Sequence, residues 1–410
     1  MMSANDKTPP PRGANNISET GGEYALATRC VRPSKMRESD LNSPLHPPIF
    51  QSAVFDLGTA TDAEAVFSGE RKTFAYTRFG NPSVEHLGNA IAALEKGAAG
   101  LVTSSGNAAT LCAVTMALDG RSGPLVAHAD IYGGSTELLN ILSTVYRVPL
   151  RIVDSRSQQQ WLEAVSDAGA VLLETPSNPL MRLIDLEKTV AAARASDAPV
   201  IVDNTVATPF DQLPFSFGAD WIVHSTSKYL NGHSDMIGGC VVKREPLSAR
   251  EKAIHKNLGG TVNALEAWLV ARGMRTFALR MEAHNRNGRS VAEWLEKHSA
   301  VSRVHYPGLP SHPQHDLFQK QMTGGGALLS FELTGGEAAS LRFIDHTELI
   351  THAVSLGGME TLAVRPAMSS HRGMSREDRA QAGIIDSLIR LSVGVEALDD
   401  ILHDLSEALS

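Results

Sequence analysis

Between residues 101 and 225 the chain repeatedly places a short, continuous apolar run where a half-exposed strand would alternate with polar residues. The runs are LVT at 101–103, LVAH at 125–128, AVLLE at 170–174, PVIVD at 199–203 and WIVHS at 221–225. Strands apolar on both faces must be covered on both faces, and the alanine-containing stretches between the runs have helical character. The pattern predicts an α/β unit with a mainly parallel sheet over residues 74–261. A chain of 410 residues exceeds what one such core usually organises, so a second region is expected. It is supplied by residues 262–410, with a helical stretch from Val262 to Trp294, strands at LLSFEL (328–333) and LIRLSVGV (388–395), and a closing helix from Glu396. This part is expected to be a smaller α+β domain. Residues 1–23 are polar and rich in Pro, Asn, Ser and Gly, which predicts a disordered tail, and residues 24–73 carry turn signals without a sustained period, which predicts an extended arm.

Charge narrows the partners. With 37 Lys and Arg against 45 Asp and Glu, the net charge is −8, which opposes a broad grip on nucleic acid or anionic membrane, so an anionic ligand needs a local site. No apolar run approaches the length of a membrane span. The cysteines Cys30, Cys112 and Cys240 are widely separated and show no metal-ligand spacing; a reducing cytoplasm is the expected setting, with no metal site.

Four segments carry groups suited to chemistry. In LVTSSGNAAT a strand ends in Ser104, Ser105 and Gly106 and a helix-forming run starts at Asn107. This is either an ordinary strand-to-helix turn or a phosphate site, since N–H groups at a helix start attract anions and a glycine permits close approach. In WIVHSTSKYLNGHSD, Lys228 follows a predicted buried strand among Ser225, Thr226 and Ser227. It is either a solvated loop lysine or an amine crowded into a crevice, where partial drying lowers its pKa and makes it a nucleophile. Asp203 ends the run PVIVD; it either caps a turn or faces a ligand cation such as a protonated pyridine nitrogen. Arg390, flanked by Leu and Ile in DSLIRLSVGVE, requires an anion, either an internal carboxylate or that of a substrate. A coenzyme with a phosphate, a pyridine nitrogen and an aldehyde would use the turn, Asp203 and Lys228 together.

The motifs YTRFGNPS (76–83), SSGNAAT (104–110), DIYGGS (130–135), ETPSNP (174–179), VDNT (202–205), HSTSKYLNGHSD (224–235), SLGGMETL (355–362) and LIRLSVGVE (388–396) occur in this order. With them the chain resembles the cysteine and methionine metabolism family of pyridoxal-phosphate-dependent enzymes: cystathionine lyases and synthase, methionine γ-lyase and the homoserine-ester sulfhydrylases. The resemblance implies a fold type I, aspartate-aminotransferase-like transferase with a seven-stranded sheet in the large domain, and pyridoxal 5'-phosphate as cofactor. It makes Lys228 the Schiff-base lysine and Asp203 the partner of the pyridine nitrogen. Gly106, Asn107, Ser225 and Ser227 would hold the phosphate, Tyr132 would stack on the ring and act as a catalytic acid, and Asn178 would lie near the ring oxygen. Arg390 and Ser355 would bind the substrate carboxylate. The arm, residues 24–73, would contact a neighbouring subunit, where Tyr76 and Arg78 would reach the coenzyme phosphate and Tyr76 also the substrate, which implies a homodimer or homotetramer with shared active sites.

Departures from common family versions bear on the substrate. Asn107 stands where methionine is frequent and Ser227 where threonine is, yet both keep the N–H and hydroxyl that a phosphate needs. Gly134 stands where methionine γ-lyases carry cysteine, Val354 where a glutamate is typical of cystathionine γ-synthase and γ-lyase, and Arg372 where a smaller or apolar residue is common. The expected reaction is γ-elimination, as a carbon–sulfur or carbon–oxygen lyase, on an L-amino acid such as methionine, homocysteine, cystathionine or an oxygen-linked analogue such as canavanine. The alternatives are γ-replacement, of the O-acyl-homoserine sulfhydrylase or cystathionine γ-synthase type, cystathionine β-lyase activity, and a coenzyme-binding regulator without turnover.

Overall fold

The computed structural model describes residues 24–32, 44–154, 156–369 and 372–410; the expected tail, residues 1–23, lies outside them. The apolar runs form strands β1 (Ala99–Thr103), β2 (Leu125–His128), β4 (Ala170–Glu174), β5 (Val200–Asp203) and β6 (Trp221–Ser225). Two further strands, β3 (Leu150–Val153) and β7 (Gly239–Lys243), complete a seven-stranded sheet of order β1-β7-β6-β5-β4-β2-β3. β7 is antiparallel to both its neighbours, and the pairs linking β6, β5, β4, β2 and β3 are parallel.

Coverage on both faces explains the unbroken apolar runs. Ile222 and Val242 join a core with Leu87, Ile91 and Val270, whereas their neighbours Trp221, Val223 and Val241 join another with Ala113, Leu139 and Leu172. Successive side chains of a strand point to opposite faces, and here each face meets helices. The arrangement brings the carboxyl ends of β1, β2, β4, β5 and β6 to one edge, where ligands gather in open α/β sheets.

A second sheet follows the order β10-β11-β12-β9-β8, built from β8 (Val301–His305), β9 (Leu328–Leu333), β10 (Thr351–His352), β11 (Leu362–Val364) and β12 (Leu388–Ser392). It meets the first through the loop after β4, where the Ser330 hydroxyl donates to the Pro179 carbonyl at 2.7 Å.

Several boundaries differ from expectation. The helical stretch 262–294 is two helices, Ala264–Met274 and Phe277–Glu296. At the break the Thr276 hydroxyl and the Arg280 guanidinium both take up the Gly273 carbonyl, and a Cβ on Gly273 would come within 2.4 Å of the Asn231 carbonyl. The strand at 388–395 stops at Ser392 because the chain crosses Met359 closely: a Cβ on Gly394 would lie 2.2 Å from the Met359 carbonyl oxygen. The closing helix starts at Leu398, and the arm contains the helices Leu26–Val31 and Ala60–Phe67. What the arm covers is now visible: His46 stacks on Trp268, whose indole N–H donates to Pro47, and the Phe50 N–H donates to Ser83. No helix among the described residues is long and apolar enough to cross a membrane. Cys30, Cys112 and Cys240 are free and buried.

Candidate active site

Lys228 sits in the turn after β6. The turn is clamped from below by Arg280, which donates to the Tyr229 carbonyl at 2.6 Å and the Leu230 carbonyl at 3.3 Å. Its amine donates to the Ser355 hydroxyl at 2.7 Å. Burial, with the Arg390 charge second, lowers its pKa to about 8. The amine is therefore neutral in about one molecule in ten at pH 7, far more often than an ordinary lysine, and that is the form that can act as nucleophile or base.

Arg390 lies on β12 opposite Val364 and Ser330. One nitrogen donates to the Ser355 carbonyl at 2.6 Å, and another stands 3.5 Å from the Asn178 amide oxygen. Its Nε is buried without a partner, and among the described residues it forms no ion pair. Ser355 thus receives Lys228 through its hydroxyl and Arg390 through its carbonyl, while holding φ at 95°. A non-glycine residue is held there only by its surroundings, at a cost of about 1–3 kcal/mol.

Asp203 ends β5. Its carboxylate accepts the Thr205 N–H at 3.0 Å, and the Thr205 hydroxyl in turn accepts the Ser225 N–H at 2.9 Å. Burial raises its pKa, opposed by Thr205 and by His224. Among the described residues it has no ion-pair partner.

The turn after β1 starts its helix at Gly106, one residue earlier than expected, with the Ser105 hydroxyl accepting the Ala108 N–H at 3.1 Å. A Cβ on Gly106 would stand 2.9 Å from the Ser225 Cβ, so only glycine lets the two strand ends approach this closely. The Asn107 amide donates to the Gly134 carbonyl at 3.1 Å and ties this helix start to the turn carrying Tyr132. The Tyr132 side chain is 47% exposed, and a Cβ on Gly134 would lie 2.5 Å from its ring. A cysteine at 134 would therefore displace the ring.

Not every expected residue joins this cluster. The Ser227 hydroxyl accepts the Gly238 N–H at 3.0 Å and so braces the strand turn. Tyr76 packs edge-on against Phe79, while Arg78 lies over both rings and donates to the Lys256 carbonyl at 3.2 Å. Neither contacts Lys228, Asp203 or Arg390. Arg372 is exposed, and nothing in the structure explains its departure from the common residue type. Glu174, Thr205 and Arg280 were not singled out from sequence. The first two lie inside the quoted motifs, but their carboxylate and hydroxyl act on neighbouring backbone, which spacing does not reveal.

The donor set fits pyridoxal phosphate. A buried carboxylate without a cation suits a protonated ring nitrogen, a buried guanidinium without a carboxylate suits an amino-acid substrate, and a partly dried amine stands between the two sheets that carry them. The glycine-permitted contact between Gly106 and Ser225 leaves a helix start free of side-chain bulk, as phosphate binding needs.

Comparison with known proteins agrees. The family described as Cys/Met metabolism PLP-dependent enzyme matches residues 27–410. An L-methionine gamma-lyase of Fusobacterium nucleatum subsp. polymorphum is 39% identical over 394 residues, covering 94% of this chain and 98% of the relative. A cystathionine beta-lyase of Lactococcus lactis subsp. cremoris is 42% identical over 343 residues, covering 83% and 90%. Among solved structures, cystathionine gamma synthase from Xanthomonas oryzae pv. oryzae, in complex with aminoacrylate and cysteine, superposes with a TM-score of 0.85 at 40% identity, covering 94% of this chain and 98% of that one. With sheet order, site chemistry and near full-length similarity in accord, the chain belongs to the Cys/Met metabolism family of pyridoxal-phosphate-dependent enzymes.

Proposed function

We propose that this enzyme eliminates the γ substituent of an L-amino acid bearing sulfur or oxygen at that position, as a carbon–sulfur or carbon–oxygen γ-lyase. The observation that carries the amino-acid part is Arg390, a buried guanidinium with an unpartnered Nε and no acidic partner among the described residues. Val354, which precedes Ser355, is apolar and 70% exposed, so it offers no charge to a distal group.

Pyridoxal phosphate supplies an aldehyde that bonds to amines and a ring that draws electrons from the adjacent carbon. Asp203 would hold the ring nitrogen protonated, and Gly106, Asn107 and Ser225 would receive the phosphate, with Ser227, whose oxygen accepts the Gly238 N–H, keeping its O–H to donate to it. Asn178 would lie beside the ring oxygen. Arg390 grips the substrate carboxylate in bidentate fashion, with Ser355 beside it. Lys228 would take the α proton, pass it on and, neutral again, take a β proton, because departure of a γ group needs both, and the Tyr132 hydroxyl would deliver a proton to the leaving atom. Tyr76 and Arg78 are assigned to the coenzyme phosphate of a neighbouring subunit, with Tyr76 also near its substrate. Their engagement with Phe79 and Lys256, away from their own Lys228, supports that reading. It requires at least a dimer.

A panel of methionine, homocysteine, cystathionine, canavanine and homoserine esters, with the released 2-oxo acid identified, tests the reaction. Formation of 2-oxobutanoate without added thiol is expected; pyruvate alone, from β-substituted substrates, would overturn the γ assignment in favour of a β-lyase. γ-Replacement is the second reading, supported by 36% identity over 363 residues to O-succinylhomoserine sulfhydrylase of Pseudomonas aeruginosa. It predicts product only when a thiol or sulfide is supplied.

The lowered pKa of Lys228 gives a pH dependence with a definite sign. Capture of pyridoxal phosphate by the apoprotein needs the neutral amine, so its rate should rise with pH through about 8 and level off above it. Stopped-flow growth of the visible band measures it; a midpoint near that of free lysine, about 10.4, would show that the amine is not dried.

A further inference from the structure

Glu174, at the end of β4, is a buried acid to which the reaction as derived gives no part. It is the register partner of Asp203 on the adjacent parallel strand, which puts the two carboxyls on the same face of the sheet, with strands about 4.8 Å apart. Its Oε2 accepts the backbone N–H of Tyr132 at 2.7 Å, and the N–H of Asn178 also faces it. One side chain thus touches or adjoins Tyr132, Asn178 and Asp203, which come from three separate segments.

Among the described residues, the groups around Glu174 leave it without a cation. Asp130 adds a like charge and is bound by Arg182 at 2.9 Å, so that guanidinium is already engaged. His128 on β2 accepts the Glu174 N–H at 2.9 Å, and burial lowers its pKa to about 4, so it is neutral at pH 7. Two buried carboxyls on adjacent strands cannot both ionise cheaply. The one facing a ring cation keeps the charge and the other keeps a proton. Burial first, and Asp203 second, push the Glu174 carboxyl well above the usual carboxylate range.

We propose that Glu174 is a positioning residue: a proton-bearing acid that seats Tyr132 through its backbone N–H and leaves Asp203 as the single counter-charge for the coenzyme ring. The proposal rests on the coenzyme assignment, which fails separately if the wild-type protein forms no visible band with pyridoxal phosphate.

Glu174→Gln and Glu174→Met, each in the full-length protein, separate the roles. Glutamine keeps an acceptor for the Tyr132 N–H and is neutral, like the protonated acid; methionine has similar bulk and no such acceptor. Titration of each apoprotein with pyridoxal phosphate should give E174Q an affinity within about three-fold of wild type, and E174M one weaker by about ten-fold, as expected when a buried donor loses its partner. The visible circular dichroism of the bound coenzyme, which reports how its ring is held, should be retained in E174Q and reduced in E174M. The pH midpoint of the visible band should stay within about 0.3 units of wild type in E174Q, because no charge is removed. A shift of a unit or more in E174Q would show that Glu174 is ionised and overturn the proposal. So would an E174M protein indistinguishable from wild type, or an E174Q protein as impaired as E174M.

Discussion

Replacing Lys228 with alanine is expected to abolish turnover, lowering kcat by at least about 10⁴-fold, and to remove the visible absorption band of the coenzyme. The size follows from assigning one amine two tasks, the covalent hold on the aldehyde and the proton transfers at two carbons. Proton transfer by a positioned side chain alone contributes about 10²–10⁴-fold. The fold should survive, because the turn is held through backbone carbonyls by Arg280 and not through the Lys228 amine. What the substitution leaves behind is the Ser355 hydroxyl, whose donor at 2.7 Å is gone. Absorption spectra and single-turnover assays of the variant provide the check. A band and a rate like those of wild type would take Lys228 out of the reaction.

Arg390→Leu is expected to reduce kcat/KM for every α-amino acid substrate by about 10²–10³-fold, mainly through KM. Losing one partner of a desolvated, hydrogen-bonded charge pair costs about 2–5 kcal/mol, and each 1.4 kcal/mol is about ten-fold. Lysine should restore little, since a single ammonium cannot reproduce the planar two-point grip on a carboxylate. The variant has a second signature. Arg390 is one of the two causes that depress Lys228, after burial itself. Removing its charge should move the midpoint for coenzyme capture above 8, in the direction of an ordinary lysine. Steady-state kinetics and the pH profile together distinguish this from general damage: a misfolded site would lose capture altogether. An Arg390→Leu protein with kcat/KM within three-fold of wild type would show that the carboxylate binds elsewhere.

The sheet was legible because its evidence is local. An unbroken apolar run such as AVLLE at 170–174 can be satisfied only between two covered faces, and the structure forms β4 over those same residues. The strands β3 and β7 carry weaker signals. In β3 the half-buried LRIV includes an arginine, and β7 follows a glycine-rich turn. The break between the helices Ala264–Met274 and Phe277–Glu296 is marked in the sequence only by Gly273, a residue that a helix interior can tolerate. It is imposed by carbonyls of a remote turn that Arg280 gathers.

The candidate site divides in the same way. Lys228, Asp203, Gly106 and Arg390 were legible as residue types that a particular chemistry needs, each at the end of a strand or inside one. By itself the sequence determined the family, the sheet and this set of groups, because apolar periodicity and short motifs are properties of contiguous chain. Only the tertiary structure decided which of them meet. It joins Lys228 to Ser355 and Arg390 across the two sheets, turns the Ser227 hydroxyl to Gly238, and directs Arg78 to Lys256. It also places Glu174 against Tyr132 and Asp203. Hydrogen bonds and charge pairs act over a few ångströms between residues far apart in the chain, and strand order and loop packing set those distances.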